Sequence, residues 1–362
     1  MIPYMSHVAD VFVQILGEKA DAGKEYPMLR LFQGLTMDYV GRAAFGFDCT
    51  FQRELTHPFL KTAQGVLPGV MTGPFHITRR EFEVGIEDAA SPPRAAPLSF
   101  PGGNRAGWSG VIVEEKGTTG DVQAANETDD VEATARKPDM LQTMLDVESE
   151  EGQLPESPQL LDADAKLYKR MSPEEVGINT TILFIAGFET TATGLSYLAY
   201  ILAKHQDVQE QVREEVKSVI ERHGALDYTA VTQSLKYFSR VVDETLRMFP
   251  PVVTFTTRSA INDFEYNGIK FKAGTSILSP TIQIHMDPRI WPNPEKFDPE
   301  RFLPENVAAR PTIAYQPFGD GPRNCIGKRL ALLEVIYTGA RMVEKFKLTL
   351  GESQKTSECA AL

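Results

Sequence analysis

The stretch FGDGPRNCIG, Phe318 to Gly327, decides how this chain is read. Three glycines, a proline, an arginine and a cysteine fall within ten residues, immediately before a helical pattern. A thiol close to a helix N-terminus feels the positive end of the helix dipole, and turn N–H groups can point at it; both favour the thiolate. Arg323 adds positive charge beside Cys325. Gly319, Gly321 and Gly327 permit backbone angles that other residues resist and let a flat object approach the chain closely. Taken alone, a lone cysteine in a turn is more often a buried structural thiol.

The segment that follows, KRLALLEVIYTGARMVEKF, predicts a helix with Leu330, Leu333, Val335 or Ile336, Ala340, Val343 and Phe346 inward. Upstream, a longer helix starts at Ser172-Pro173-Glu174-Glu175, where serine caps, proline takes the first helical position and Glu175 closes a capping box. The pattern runs to about Lys204, and its middle is apolar nearly all round, which predicts a path through the interior. That middle nevertheless holds AGFETT, Ala186 to Thr191. Gly187 costs helix stability, and Glu189 puts a carboxylate where burial is expensive. Further helices are expected at Val8–Leu16, Val208–Arg222 and Leu235–Met248, the last stopped by Pro250-Pro251. The alternation around Asn267-Gly268 predicts a hairpin, and the proline-rich DPRIWPNPEKFDPERFLPEN a meander held by side chains.

Composition narrows the function classes. The 362 residues carry a net charge of −12, which argues against a nucleic-acid partner. The three cysteines, Cys49, Cys325 and Cys359, have no zinc spacing, and their odd number fits a reducing compartment. No apolar run reaches about 18 residues, so no spanning helix is expected. The C-terminal CAAL matches a prenylation box with alanine at both aliphatic positions and no polybasic stretch beside it, which reads as chance. Residues 89–137 are rich in Pro, Gly, Ala and Ser, then in acidic residues, with no period; they read as a disordered or anomalous insert. The expected organisation is thus a partial N-terminal helical part at 1–88, this insert, a core at 138–350 and a tail at 351–362.

FGDGPRNCIG resembles F-x-x-G-x-R-x-C-x-G, the haem-ligand signature of the cytochrome P-450 superfamily, at every fixed position. Three further patterns resemble the same family in the same order: AGFETT its oxygen-binding turn, ETLR (Glu244–Arg247) its E-x-x-R, and PERF (Pro299–Phe302) its meander arginine. The resemblance implies a mainly α fold with a small β component and a long central helix over haem. It makes Cys325 the axial thiolate ligand of haem b iron, where the sulfur pushes electron density that favours O–O cleavage. Arg323 would pair with a haem propionate, and Arg258 with the second; Phe318 and Gly327 belong to the same cofactor loop. Glu189 and Thr190 would be the acid–alcohol pair that relays protons to dioxygen. Glu244, Arg247 and Arg301 would form a structural ion cluster behind the ligand loop, and Phe184, Ala186, Val252, Val253 and Phe255 would line the substrate pocket.

The function implied is a haem-thiolate monooxygenase of the animal microsomal type, resembling the drug- and steroid-oxidising and thromboxane synthase group. It would insert one atom of O₂ into a lipophilic small molecule with electrons from NADPH. Its partners would be NADPH–cytochrome P-450 reductase and cytochrome b5. The expected place is the cytosolic face of the endoplasmic reticulum membrane, with this chain, which carries no anchor run, soluble or peripheral. The family's W-x-x-x-R is not matched: Trp108 is followed four residues on by Ile112, and Trp291 by Glu295. A truncated, non-catalytic haem binder or unstable fragment is therefore one alternative. A haem-thiolate isomerase that needs no reductase is the other.

Overall fold

The computed structural model describes residues 2–21, 26–46, 50–71, 140–145, 171–252 and 256–351. The insert read at 89–137, the box at Cys359–Leu362, and Val253 and Phe255 lie outside these described residues. The helices are α1 (Ile2–Asp21), α2 (Met28–Phe45), α3 (Pro58–Met71), α4 (Met140–Leu145), α5 (Pro173–Lys204), α6 (Gln206–His223), α7 (Lys236–Met248), α8 (Thr281–His285), α9 (Pro304–Ala308) and α10 (Lys328–Lys345). Two antiparallel strand pairs complete the described part. β1 (Thr256–Ser259) pairs with β4 (Ser276–Ser279), and β2 (Phe264–Tyr266) pairs with β3 (Ile269–Phe271).

Local chemistry explains the boundaries. The Ser172 hydroxyl accepts from the Glu175 N–H at 3.3 Å, and the Ser172 N–H donates to Glu175 Oε2 at 2.8 Å. This is the expected capping box, and α5 runs to Lys204 as its pattern predicts. Gly224 ends α6 at φ 78°, its N–H returning to Ile220 O at 2.8 Å. Asn267 and Gly268 stand at φ 51° and 78°, the left-handed pair that a two-residue hairpin turn needs. Phe264 and Phe271 stack across that hairpin with centroids 4.7 Å apart. The first helix outruns its expectation of Val8–Leu16 by about a turn and a half at each end.

The main core joins α1, α2, α5, α6, α7 and α10 through residues such as Phe12, Phe32, Leu195, Val212, Phe238 and Val343. A second cluster sits where α2, α3 and α4 meet the first half of α5, around Met37, Phe45, Leu60 and Phe184. One expectation for α5 is corrected. Its first half is not buried all round: Ile178 and Ile182 are 49 % and 56 % exposed, and Ala186 continues the same stripe at four-residue spacing. By length and composition α5 could cross a membrane, with a mean hydropathy of 1.3 over its most apolar window. Half of that window is buried among the other helices, as in the core helix of a globular protein.

Candidate functional site

The ligand loop is built by backbone bonds. Cys325 N–H donates to Phe318 O at 2.9 Å, which closes the loop, and Asn324 N–H donates to Gly321 O at 3.1 Å inside it. Gly319 and Gly321 lie at φ 72° and 79°, in the left-handed region. Gly327 does not; at φ −85° its conformation suits any residue. Its reason is space. A Cβ on Gly327 would stand 3.9 Å from Cys325 Sγ, so a side chain there would start in contact with the sulfur. The loop also has a brace from outside, since Arg258 on β1 donates from Nη2 to Asp320 O at 3.1 Å. Arg323 is exposed on the same loop, and Phe318 packs partly buried against the main core.

The donor set fits one kind of group. Among the described residues no cluster of three or more His, Cys, Asp or Glu could hold a metal ion. One half-buried thiol cannot hold a bare ion, but it can complete the coordination of a metal that carries its own equatorial ligands, as haem iron does. The guanidinium groups of Arg258, against the loop, and Arg323, on it, suit the carboxylates of such a cofactor.

In AGFETT, the acid and the alcohol each make a hydrogen bond of their own. Glu189 is 6 % exposed, and its Oε2 accepts from Gln33 Nε2 of α2 at 2.6 Å. Thr190 donates instead to Ala186 O at 2.7 Å, on a more exposed side of the helix. Consecutive helical side chains diverge by about 100°. The acid and the alcohol therefore have separate partners here, the first on α2 and the second on its own helix. Gly187 also has a packing reason. A Cβ there would come within 2.7 Å of Val40 Cγ2, so glycine is what lets α2 cross α5 closely. Thr36 of α2 donates to Phe188 O at 2.8 Å at the same crossing.

Of the expected pocket residues, Ala186 lies on the exposed stripe and Val252 is half-buried after α7. Phe184 lies elsewhere on the helix. It is 3 % exposed and stacks on Phe45 at 4.3 Å, with Phe59 edge-on at 5.6 Å. Two residues before Ala186 it points to the other side of α5, where it serves the second core cluster.

Behind the loop, the structure brings Glu244, Arg247 and Arg301 together. Arg247 forks onto Glu244 with Nε–Oε2 at 2.7 Å and Nη2–Oε1 at 2.8 Å, and both side chains are fully buried. Arg301 Nε lies 3.3 Å from Glu244 Oε1. The remaining donors of Arg247 reach His285 O at 2.8 Å and Pro294 O at 2.7 Å. Asp298 N–H adds a bond to Glu244 Oε1 at 3.0 Å. Helix α7, the end of α8 and the meander are thus tied at one point. A surface pocket of about 350 Å³ beside Trp291, Arg301 and Arg310 belongs to this meander, away from Cys325.

Three participants carry no local sequence signal. Gln33 and Gln64 link α2 and α3 to Glu189; Gln64 Nε2 donates to Gln33 Oε1 at 2.8 Å. His285, fully buried, donates from Nδ1 to Arg247 O at 3.0 Å and accepts at Nε2 from Gln316 N–H at 2.9 Å. The two bonds fix its neutral tautomer, and burial pushes its pKa down to about 4.

The family profile described as Cytochrome P450 matches residues 125–361, more than half of the chain. Cytochrome P450 3A29 of Sus scrofa is 30 % identical over 351 residues, covering 96 % of this chain and 63 % of that protein. Cytochrome P450 6a8 of Drosophila melanogaster is 30 % identical over 361 residues, with 96 % and 65 % covered. Thromboxane-A synthase of Mus musculus is 31 % identical over 369 residues, with 96 % and 66 % covered. The chain spans slightly less than two thirds of the length of these relatives.

Proposed function

This chain belongs to the cytochrome P450 family, and on that premise we propose that it is a haem-thiolate monooxygenase acting on a lipophilic small molecule. Residues 138–350 would form its haem-binding core. Cys325 would be the axial ligand, with Arg258 and Arg323 holding the propionates and Phe318 and Gly327 shaping the loop. Haem b held there would supply dioxygen binding and reductive activation, so that one oxygen atom enters the substrate and the other leaves as water.

The chain's own part is positional. The N–H of Cys325 is committed to Phe318 O, which fixes the backbone that carries the sulfur, and Gly327 adds no side chain beside it. The first turn of α10 contains no acidic residue. Thr190 and Glu189 are the groups we assign to proton delivery, and Ala186 and Val252 to the substrate side. Electrons would come from NADPH through a flavoprotein reductase, with cytochrome b5 as a second donor, at the cytosolic face of the endoplasmic reticulum.

One observation carries this reading: a lone thiol, with its flank held clear by glycine, in a loop braced by an arginine. The ferrous carbonyl spectrum of the purified protein tests it. A Soret band at the long-wavelength position given by thiolate ligation is expected. A band where histidine-ligated haem absorbs, or no haem at all, would overturn it. The separate partners of Glu189 and Thr190 favour a second reading, a haem-thiolate isomerase without need of a reductase. Substrate conversion in the absence of NADPH would decide for that reading.

A further inference from the structure

We infer that Gln33 and Gln64 are positioning residues: a two-amide ladder that holds the Glu189 carboxylate against α2 and ties its direction to α3. The catalytic consequence rests on the role proposed above for Glu189; the ladder itself rests on distances.

Gln33 is 7 % exposed, and burying a primary amide is costly unless both its ends are bonded. Both are. Its Nε2 donates to Glu189 Oε2 at 2.6 Å, and its Oε1 accepts from Gln64 Nε2 at 2.8 Å. The order has one sense only. Turning the Gln33 amide over would set its oxygen against a carboxylate oxygen and its NH₂ against the NH₂ of Gln64. Each amide also polarises the next, so the outer bond strengthens the inner one.

An amide N–H does not readily give up its proton and take another, so the ladder is a holder and not a proton wire. It keeps the acid on the α2 side while Thr190 bonds Ala186 O on another face of α5. For Glu189 to turn Oε2 toward Thr190, that oxygen must first leave Gln33. The grip depends on Gln64, which belongs to a helix packed on α5. A displacement of α3 by about 1 Å takes the 2.8 Å bond out of hydrogen-bonding range. Anything that seats against α3 and shifts it would therefore loosen the hold on the acid.

Infrared difference spectra against a Glu189→Gln variant isolate the carboxylate band of Glu189, and they can be recorded with or without haem. Gln33→Met, which keeps the volume and removes the amide, is expected to shift that band. Gln64→Met, at a half-buried and more tolerant position, is expected to shift it less and in the same direction. A band unmoved in both variants would overturn the ladder. In the haem-loaded protein, Gln33→Met is expected to move the C–O stretch of the ferrous carbonyl complex, and adding Glu189→Gln to abolish that change. A carboxylate band that moves beside an unmoved C–O stretch would sink the tie to the haem side. Failure to bind haem would refute the proposed function while the infrared test of the ladder stands.

Discussion

Glu244 and Glu189 are both buried carboxylates on helices, and the protein treats them in opposite ways. Glu244 is met by two guanidinium groups and a backbone N–H, and its main partner, Arg247, spends its other donors on carbonyls of two further segments. Glu189 is held by an amide that another amide holds in turn. Charged pairs in the interior are expensive to break, because the survivor is left unpaired. An amide grip on a carboxylate is weaker and leaves no second charge behind when it is released. The first region is a fixed tie between α7, the end of α8 and the meander. The second can be reset, as a group assigned to proton delivery has to be.

The sharpest way to break this comparison is Arg247→Ala. It leaves Glu244 buried beside Arg301 and unties α7 from the meander, and it should cost about 3–5 kcal/mol in chemical denaturation. A loss below about 1 kcal/mol would show that the cluster is not the tie described.

Acid should come next, through His285. Its folded pKa, about 4, is depressed from 6.5, so the unfolded chain takes up the proton first. Its stabilising contribution is present above pH 6.5 and is lost as the pH falls toward 4, by at most about 3 kcal/mol. Asp38 and Asp243 act in the other direction. Burial raises each to about 6, so the folded state gains protons first between pH 6 and 3.8. The His285 part is therefore read as the difference between the chain and a His285→Gln variant. An identical pH profile for the two would remove it.

Gly187→Ala probes the looser region. The added methyl meets Val40 at 2.7 Å, which should cost about 1–2 kcal/mol after the gain in helix propensity. Adding Val40→Ala should recover part of the methyl's cost, since it removes the clashing atoms. If Gly187→Ala stabilises the protein, glycine is not there for the crossing. The smallest effect belongs to Glu189→Gln, expected to change stability by less than about 1 kcal/mol while altering proton-dependent turnover.

Much of the first region was legible in the sequence, because its signals are local. The capping box of α5, the Asn267-Gly268 turn and the run FGDGPRNCIG each fit within a few residues. Glu244 and Arg247 sit three apart on one helix, and PERF names the third member of the cluster. The second region was less legible, for a physical reason. Gln33 and Glu189 are 156 positions apart, and no local pattern marks a glutamine as the partner of a distant acid. The packing role of Gly187 was hidden likewise, since it depends on Val40 of another helix. The place of Phe184 was hidden too, since its stacking on Phe45 depends on another helix.

The reach of Arg247 bears on how the protein is made. Its partners His285 and Pro294 follow it by 38 and 47 residues, and Glu244 waits 54 residues for the N–H of Asp298. A ribosome delivers α7 well before it delivers any of them. During that interval the helix carries an arginine and a glutamate on the face it must later bury. It can settle only when the meander arrives to close loops of that length. Synthesis thus assigns the meander the last word: the tie between α7 and the meander locks only as the ligand loop itself is about to emerge.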